Sequence, residues 1–285
     1  AASEGTRPAA ARPKSRVRAG AAAAMMAASP LLPLSGARVR IAFLTDLHAN
    51  CEALAACLDA VAALGVQRHV FLGDLVGYGA DPAWVVDTVR AHVAAGAVCV
   101  QGNHDLAAVR GPGPHMHENA RRVIAWTQAQ LDTAQRDFLA GLPLMHAEDD
   151  RCYVHANAWA PAQWEYITGP MEAGRSLRAT PQRLSFVGHV HEAALYHGVR
   201  VGKVMAFAPT PNVDIPLLAP RRWLALPGSV GQPRDGNPAA SCAVYDSAAG
   251  TLRFLRVAYD VETAAAKVRA AGLPEALARR LESGG

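Results

Sequence analysis

Carboxylate, imidazole and amide side chains are concentrated in five short motifs, and each motif follows an apolar run. Their oxygen and nitrogen atoms suit Mn, Fe, Zn and similar ions better than thiolate-loving metals. A polar side chain at the end of a buried strand must find a partner or lose hydrogen-bonding free energy. The motifs therefore predict a metal-binding site. They are Thr45-Asp46-Leu47-His48, Gly73-Asp74, Gly102-Asn103-His104-Asp105, Val154-His155 and Gly188-His189-Val190-His191.

The candidate ligands in these motifs are too many for one tetrahedral site. With one shared carboxylate they suit two ions about 3.5–4 Å apart, which can clamp a transferring phosphoryl group. Taken singly, Asp46 or Asp74 would more often cap a strand end, and His155 would more often be a hydrogen-bonded core histidine. Taken together, five strand ends that all carry possible metal ligands predict one common metal site.

The elements that position the first three motifs alternate between strand and helix. Apolar strands are predicted at 39–45, 69–72 and 97–100, with helices over 52–64 and 82–95 between them. Near-continuous apolar strands linked by helices are typical of a parallel sheet covered on both faces. Ligands of such sheets lie beyond the carboxyl ends of the strands, which is where Asp46, Asp74 and Asn103 stand.

The rest of the chain is less regular. A helix is predicted over 119–140, and a long loop with a short helix over 156–180. Short β segments at 199–207, 222–226, 241–246 and 251–258 indicate a second, mainly antiparallel sheet. A closing helix is expected from 261 to 281.

Composition limits the function classes. The net charge of +4 resides in the first 20 residues, where five basic residues stand against Glu4, so the remaining body is neutral. A neutral body argues against extended nucleic acid as a partner, and the lack of a long apolar run argues against a membrane span. Residues 1–36 are expected to be a disordered basic tail, with a secretory signal as the alternative, and 37–285 one domain. Five cysteines, an odd number, widely spaced and without a CxxC pair, favour a reducing, cytoplasmic location.

In their order along the chain, the five motifs resemble the calcineurin-like metallophosphoesterase superfamily. The stretches 74–82 and 227–234 are similar to a small bacterial phosphodiesterase-like branch of it. The resemblance implies an α/β fold, a four-layer α/β/β/α sandwich of two mixed sheets. Residues 73–79 lack the second Asp and the Arg of the protein Ser/Thr phosphatase motif, which argues against protein phosphatase activity.

The resemblance also implies roles for individual residues. A metal-bridging hydroxide would attack phosphorus, and His104, oriented by Asp105, would protonate the leaving group or stabilise the phosphate. The cofactors would be two divalent ions, Mn first, with Fe, Zn, Ni or Mg as alternatives. Substrate contacts are expected from Asn50, Tyr78 and Arg234. The first ion would be held by Asp46, His48 and His191, the second by Asn103, His155 and His189, with Asp74 bridging both.

The sequence thus predicts hydrolysis of phosphodiester or phosphoanhydride bonds in small, nucleotide-like substrates. A broad phosphomonoesterase is the alternative enzyme. A non-catalytic scaffold of the same fold is an alternative of another class, although all the ligand positions and His104 are filled here. A nuclease is a third hypothesis, which the neutral body disfavours.

Overall fold

The computed structural model describes residues 39–113, 118–199 and 202–285, together with residue 1. The predicted tail over 1–36 lies outside these ranges apart from its first residue. The chain divides into two units, 1–32 and 33–285, and the sheets and helices belong to the second unit.

The first sheet begins with three parallel strands and is completed by strands from much later in the chain. Its strands are β1 Arg40–Leu44, β2 Arg68–Phe71, β3 Val98–Cys99, β9 Asp214–Pro216, β11 Ala240–Asp246 and β12 Thr251–Val257, in the order β3-β2-β1-β11-β12-β9. Helices α1 Cys51–Ala63 and α2 Pro82–Ala94 make the crossovers between the parallel strands. This part confirms the predicted βαβαβ unit.

The second sheet is also mixed. Its strands are β4 Met145–Glu148, β5 Arg151–Val154, β6 Leu184–Val187, β7 Ala193–Gly198, β8 Met205–Phe207 and β10 Arg222–Pro227, in the order β4-β5-β6-β10-β7-β8. Strands β5, β6 and β10 run parallel, and the other pairings are antiparallel. One short 3₁₀ turn, Pro161–Gln163, and helix α6 Pro170–Arg178 lie between β5 and β6.

Among the described residues, three of the four apolar clusters lie between layers and separate the four layers of the sandwich. Between the sheets, Phe43 of β1 stacks on Phe186 of β6 with ring centroids 3.6 Å apart. Helices α1 and α2 pack on the outer face of the first sheet through residues such as Leu54 and Val86. Helix α6 covers the second sheet, with Leu177 in the cluster that holds Leu224. The helix–sheet–sheet–helix order confirms the predicted sandwich.

The expectation that the late β segments all belong to a second sheet is wrong for the segments 241–246 and 251–258, whereas β8 and β10 do lie in the second sheet. Strands β9, β11 and β12 join the first sheet, where β11 pairs antiparallel with β1. The physical reason is burial, because residues 240–245 of β11 are buried on both faces and therefore need a central position in a covered sheet.

Two predicted helices are each divided. The segment 119–140 forms α4 Glu118–Gln130 and α5 Thr133–Ala140, because Asp132 caps the second helix and exchanges hydrogen bonds with Gln135 in a capping box. The segment 261–281 forms α7 Val261–Ala270 and α8 Glu275–Ser283. Gly272 lies between them at φ +68°, a conformation that ends a helix. Among the described residues, no helix is long and apolar enough to cross a membrane.

Candidate metal centre

The two sheets bring their carboxyl strand ends to one place. Strands β1, β2 and β3 lead into Asp46, Asp74 and Asn103, while β5 and β6 lead into His155 and His189. Asn103 begins an unpredicted helix, α3 Asn103–Arg110. The six predicted ligands other than Asn103 are at most 6% exposed, so the centre is closed to bulk water on most sides.

The predicted ligands form two groups whose donor atoms lie within 4.8 Å of one another, namely Asp46, His48 and His191, and Asp74, His155 and His189. In the first group, Nε2 of His191 lies 3.0 Å from Nε2 of His48 and 3.2 Å from Asp46 Oδ1. In the second group, Nε2 of His155 lies 3.1 Å from His189 Nδ1 and 3.2 Å from Asn103 Oδ1.

Asp74 lies between the two groups. Its Oδ2 atom is 3.3 Å from Nε2 of His155 and 3.8 Å from Nε2 of His48. Its Oδ1 atom accepts the backbone N–H of His104 at 2.8 Å. A Cβ atom at Gly102 would collide with this carboxylate, so only glycine allows β3 to approach so closely.

Each of the four imidazoles among the predicted ligands is oriented by a backbone carbonyl. A ring N–H that faces a carbonyl oxygen must donate, since that oxygen has no proton to give. The second ring nitrogen therefore faces the centre unprotonated in the neutral ring, as a metal ligand requires. The four contacts are His48 Nδ1 to Val76 O (3.1 Å), His155 Nδ1 to Leu72 O (2.7 Å), His191 Nδ1 to Gln232 O (2.6 Å) and His189 Nε2 to Trp164 O (3.0 Å).

The facing nitrogens show that the site is built for cations. In each group two lone pairs approach to 3.0 or 3.1 Å, an arrangement that only a proton or a metal ion between them stabilises. The electrostatics agree, because burial alone would lower the pKa of His155, yet Asp74 and Asp46 outweigh it and raise that pKa to about 9. Mixed oxygen and nitrogen donors at a place that stabilises positive charge fit a divalent ion.

Backbone strain marks the same residues. Five predicted ligands adopt the left-handed region, with φ between 45° and 71°: Asp46, His48, Asp74, His189 and His191. Such a conformation costs free energy in a non-glycine residue and persists only where the surroundings enforce it. Here the loops hold one another, since Asp46 N donates to Gly73 O at 3.0 Å and Gly231 N donates to Asp46 O at 2.9 Å.

The predicted orientation of His104 by Asp105 needs correction. Asp105 Oδ1 accepts the N–H of Leu75 and of Val76, and its Oδ2 accepts the N–H of Gly102 at 2.9 Å. Its carboxylate therefore holds backbone rather than the imidazole. Burial, together with Asp74, raises the pKa of Asp105 to about 7. The imidazole of His104 packs edge-on to His48 at 5.1 Å, and its buried Nδ1 has no hydrogen-bond partner among the described residues.

Of the predicted substrate contacts, two face the centre. The ring of Tyr78 lies 4.5 Å from the rings of both His48 and His104. The guanidinium of Arg234 lies 5.7 Å above the Tyr78 ring, and its buried Nε has no hydrogen-bond partner within the described part of the chain.

Asn50 instead has a structural role. Its Oδ1 accepts the N–H of Ala53 as the cap of α1, and its Nδ2 donates to Gly231 O at 3.0 Å. The side chain is 3% exposed, so the expectation of a substrate contact gains no support from its surroundings.

The sequence reasoning missed the segment that orients His189. Nδ2 of the buried Asn157 donates to Glu165 O at 2.9 Å, and this closes a loop that presents the carbonyl of Trp164. Tyr166 follows and stacks on the His189 ring at 4.1 Å while remaining half exposed. A backbone carbonyl leaves no mark in the sequence, so only the Asn after the Val154-His155 motif could have pointed to this loop.

Comparison with known proteins supports one family. The model of the calcineurin-like phosphoesterase superfamily domain matches residues 39–250. An uncharacterized protein of Methanocaldococcus jannaschii is 32% identical over 246 residues, which cover 85% of this chain and 96% of that protein.

Two solved structures are similar. A metallophosphoesterase from Sphaerobacter thermophilus has a TM-score of 0.78 and 34% identity, covering 87% of this chain and 100% of its own. A hypothetical protein from Pyrococcus horikoshii OT3 has a TM-score of 0.71 and 18% identity, covering 87% and 99%, and shares the fold. With the family model covering most of its length, the chain belongs to the calcineurin-like phosphoesterase superfamily.

Proposed function

We propose that the chain is a dinuclear metal-dependent phosphoesterase that hydrolyses phosphodiester or phosphoanhydride bonds of small, nucleotide-like molecules. The observation that carries the proposal is the pair of facing imidazole nitrogens in each group, at 3.0 and 3.1 Å, with one Asp74 oxygen between the groups. One ion would be held by Asp46, His48 and His191, the other by Asn103, His155 and His189, and both by Asp74.

When bound, two divalent ions supply a nucleophile from water near neutral pH and neutralise charge on the phosphoryl group. The chain supplies the remaining functions. Arg234, with an unused Nε beside Tyr78, would bind a phosphate oxygen. The imidazole of His104 contacts the rings of His48 and Tyr78, and it would hydrogen-bond to the leaving oxygen. Asp105 would keep the 74–76 and 102 backbones in place.

The choice of metal and compartment is also part of the proposal. Four imidazoles together with carboxylate and amide oxygens fit Mn, and Fe, Zn, Ni and Mg stay alternatives. All five cysteines are free thiols, which supports a reducing location such as the cytoplasm.

A small substrate fits the surroundings of the centre. Tyr166 stacks on His189 and leaves half its surface exposed, so a base or another flat group has an aromatic face to stack against. The neutral charge of the body beyond residue 20 supports a compact substrate over an extended polyanion.

The test compares hydrolysis of bis-p-nitrophenyl phosphate and p-nitrophenyl phosphate by chelator-stripped protein before and after Mn is added back. Asp74→Asn removes the bridging charge. Asp59→Asn, an exposed substitution on α1, is the matched control. Metal content per chain is measured by mass spectrometry in parallel, so that binding is observed separately from turnover.

We expect two Mn per chain and Mn-dependent diester turnover in the wild type and in Asp59→Asn. We expect Asp74→Asn to contain fewer than two Mn per chain. We also expect it to lose turnover of the diester. Turnover of the monoester alone would replace the proposal with the phosphomonoesterase. Two bound ions without turnover of either ester or of a nucleotide panel would favour the scaffold.

A further inference from the structure

A basic cleft lies at the end of the second sheet opposite to the metal centre. It has a volume of about 670 Å³ and is lined by the end of α6, the start of β6 and the loop before β10. Strand residues 184–187 separate it from Gly188 and His189. At about 3.3 Å per residue, the cleft and the centre are more than about 13 Å apart. It is therefore not a part of the metal centre.

Four arginines line this cleft, namely Arg178, Arg183, Arg221 and Arg222. The charge of Arg183 is neutralised by Asp150, since Asp150 Oδ2 lies 3.0 Å from Arg183 Nε. Within the described ranges, Arg178 and Arg221 form no ion pair with a carboxylate, and both are exposed. The cleft thus carries a positive charge that the surrounding protein does not neutralise, in a body that is neutral as a whole.

Three of the four arginines, Arg183, Arg221 and Arg222, are held by contacts to neighbouring groups. Arg222 Nη2 donates to the carbonyls of Thr180 and Gln182, each at 2.5 Å. Arg183 Nη1 donates to Leu217 O at 3.2 Å, which fixes the loop before β10. Arg221 Nη1 lies 2.5 Å from Nδ1 of His197. A preformed cluster loses less entropy when a ligand binds than flexible surface lysines would.

We propose that this cleft binds a small molecule carrying a diphosphate group, either free diphosphate or a nucleoside diphosphate. Guanidinium forks match phosphate oxygens in two-point hydrogen bonds, and several forks around one cleft match several phosphate oxygens. The volume is that of a small-ligand pocket. The proposal does not depend on the reaction at the metal centre.

The test is calorimetric titration of the full chain with methylenediphosphonate, a non-hydrolysable diphosphate, and then with ADP, AMP and sulfate. The double variant Arg178→Gln/Arg221→Gln removes the two exposed cations and keeps Arg183 and Arg222, which hydrogen-bond to backbone carbonyls. Arg279→Gln, an exposed arginine on α8, is the matched control. Arg234→Gln reports any binding that takes place at the metal centre instead.

We expect the double variant to bind methylenediphosphonate at the cleft at least about tenfold more weakly than the wild type, while Arg279→Gln and Arg234→Gln both retain the binding step at the cleft. Tighter binding of ADP than of methylenediphosphonate would identify a nucleotide, and equal binding would identify free diphosphate. Unchanged binding by the double variant, loss of binding in Arg234→Gln, or equal affinity for sulfate would overturn the proposal.

Discussion

Arg68 of β2 and Glu148 of β4 are joined by two parallel hydrogen bonds, 2.8 and 2.7 Å long, between guanidinium and carboxylate. The two residues belong to different sheets, so the pair links one sheet to the other. Tyr153 adds a hydrogen bond from its hydroxyl to Glu148 Oε1 at 2.7 Å. Burial acts to raise the pKa of Glu148, but Arg68 and Tyr153 outweigh it and lower that pKa.

The first prediction concerns this link. We expect Glu148→Gln to lower the free energy of unfolding by about 1–2 kcal/mol at pH 7, because a half-buried charged pair is removed. A carboxylate whose pKa is lowered in the folded state stabilises the fold above its unfolded pKa of about 4.3, and this is lost as the pH falls through the folded-state pKa. The difference between variant and wild type should therefore shrink as the pH falls below about 4.3, and it should vanish once the pH is below the lowered folded-state pKa.

Urea unfolding at pH 7 and at pH 3 measures this difference. Asp59→Asn, which removes an exposed carboxylate from α1, should match the wild type at both values. An equal loss of stability in Glu148→Gln at both pH values would show that packing, and not charge, accounts for the effect.

The second prediction separates Asp105 from His104. An asparagine at position 105 can no longer accept all three backbone N–H groups, so Asp105→Asn should lower the free energy of unfolding by about 2–3 kcal/mol. His104→Gln should leave unfolding nearly unchanged and reduce turnover. Urea unfolding and kcat measured on both variants provide the comparison. A stable Asp105→Asn with reduced kcat would restore the role first predicted for Asp105, the orientation of His104.

The third prediction concerns the loop behind His189. Asn157→Ala removes the hydrogen bond that holds the Trp164 carbonyl in position. Loss of a group that orients a metal-binding histidine typically weakens affinity 10- to 100-fold, so we expect the second Mn to bind at least about tenfold more weakly, with the first Mn unaffected. Mn titration followed by electron paramagnetic resonance resolves the two steps. Asn237→Ala, which removes an exposed turn contact, should retain both affinities.

The fourth prediction concerns Arg234. If its guanidinium binds substrate phosphate, Arg234→Gln should raise KM for the diester about tenfold and leave the Mn content unchanged. Arg234→Lys should recover part of the loss, because it keeps the charge without the fork. Steady-state kinetics beside metal analysis test this, with Arg279→Gln as the control. A fall in Mn content would place Arg234 in the support of the centre instead.

Much of the site followed from local sequence. Asp46, Asp74 and Asn103 end parallel strands, and the carboxyl ends of such strands must lie side by side, so their proximity was predictable. The break at Asp132 was also readable, since Asp followed three residues later by Gln is a capping box. The apolar residues spaced through 119–140 favoured one continuous helix, and the prediction followed that pattern instead of the capping box.

Other features depend on distant parts of the chain. β11 lies beside β1 because it is buried on both faces. A short apolar run in the sequence does not show whether a strand is central or lies at the edge of a sheet. The Trp164 carbonyl and the backbone partners of Asp105 are main-chain groups, and residue types alone do not reveal them.

The pairing of β1 with β11 also has a consequence for biosynthesis. Asp46 lies at the end of β1, yet the first sheet gains the central neighbour of that strand only when residues 240–246 have been translated. The loop at Gly231, which holds the Asp46 carbonyl, also arrives late. A nascent chain on the ribosome therefore has no completed centre until its final strands emerge, and any cofactor must be acquired after translation of those strands.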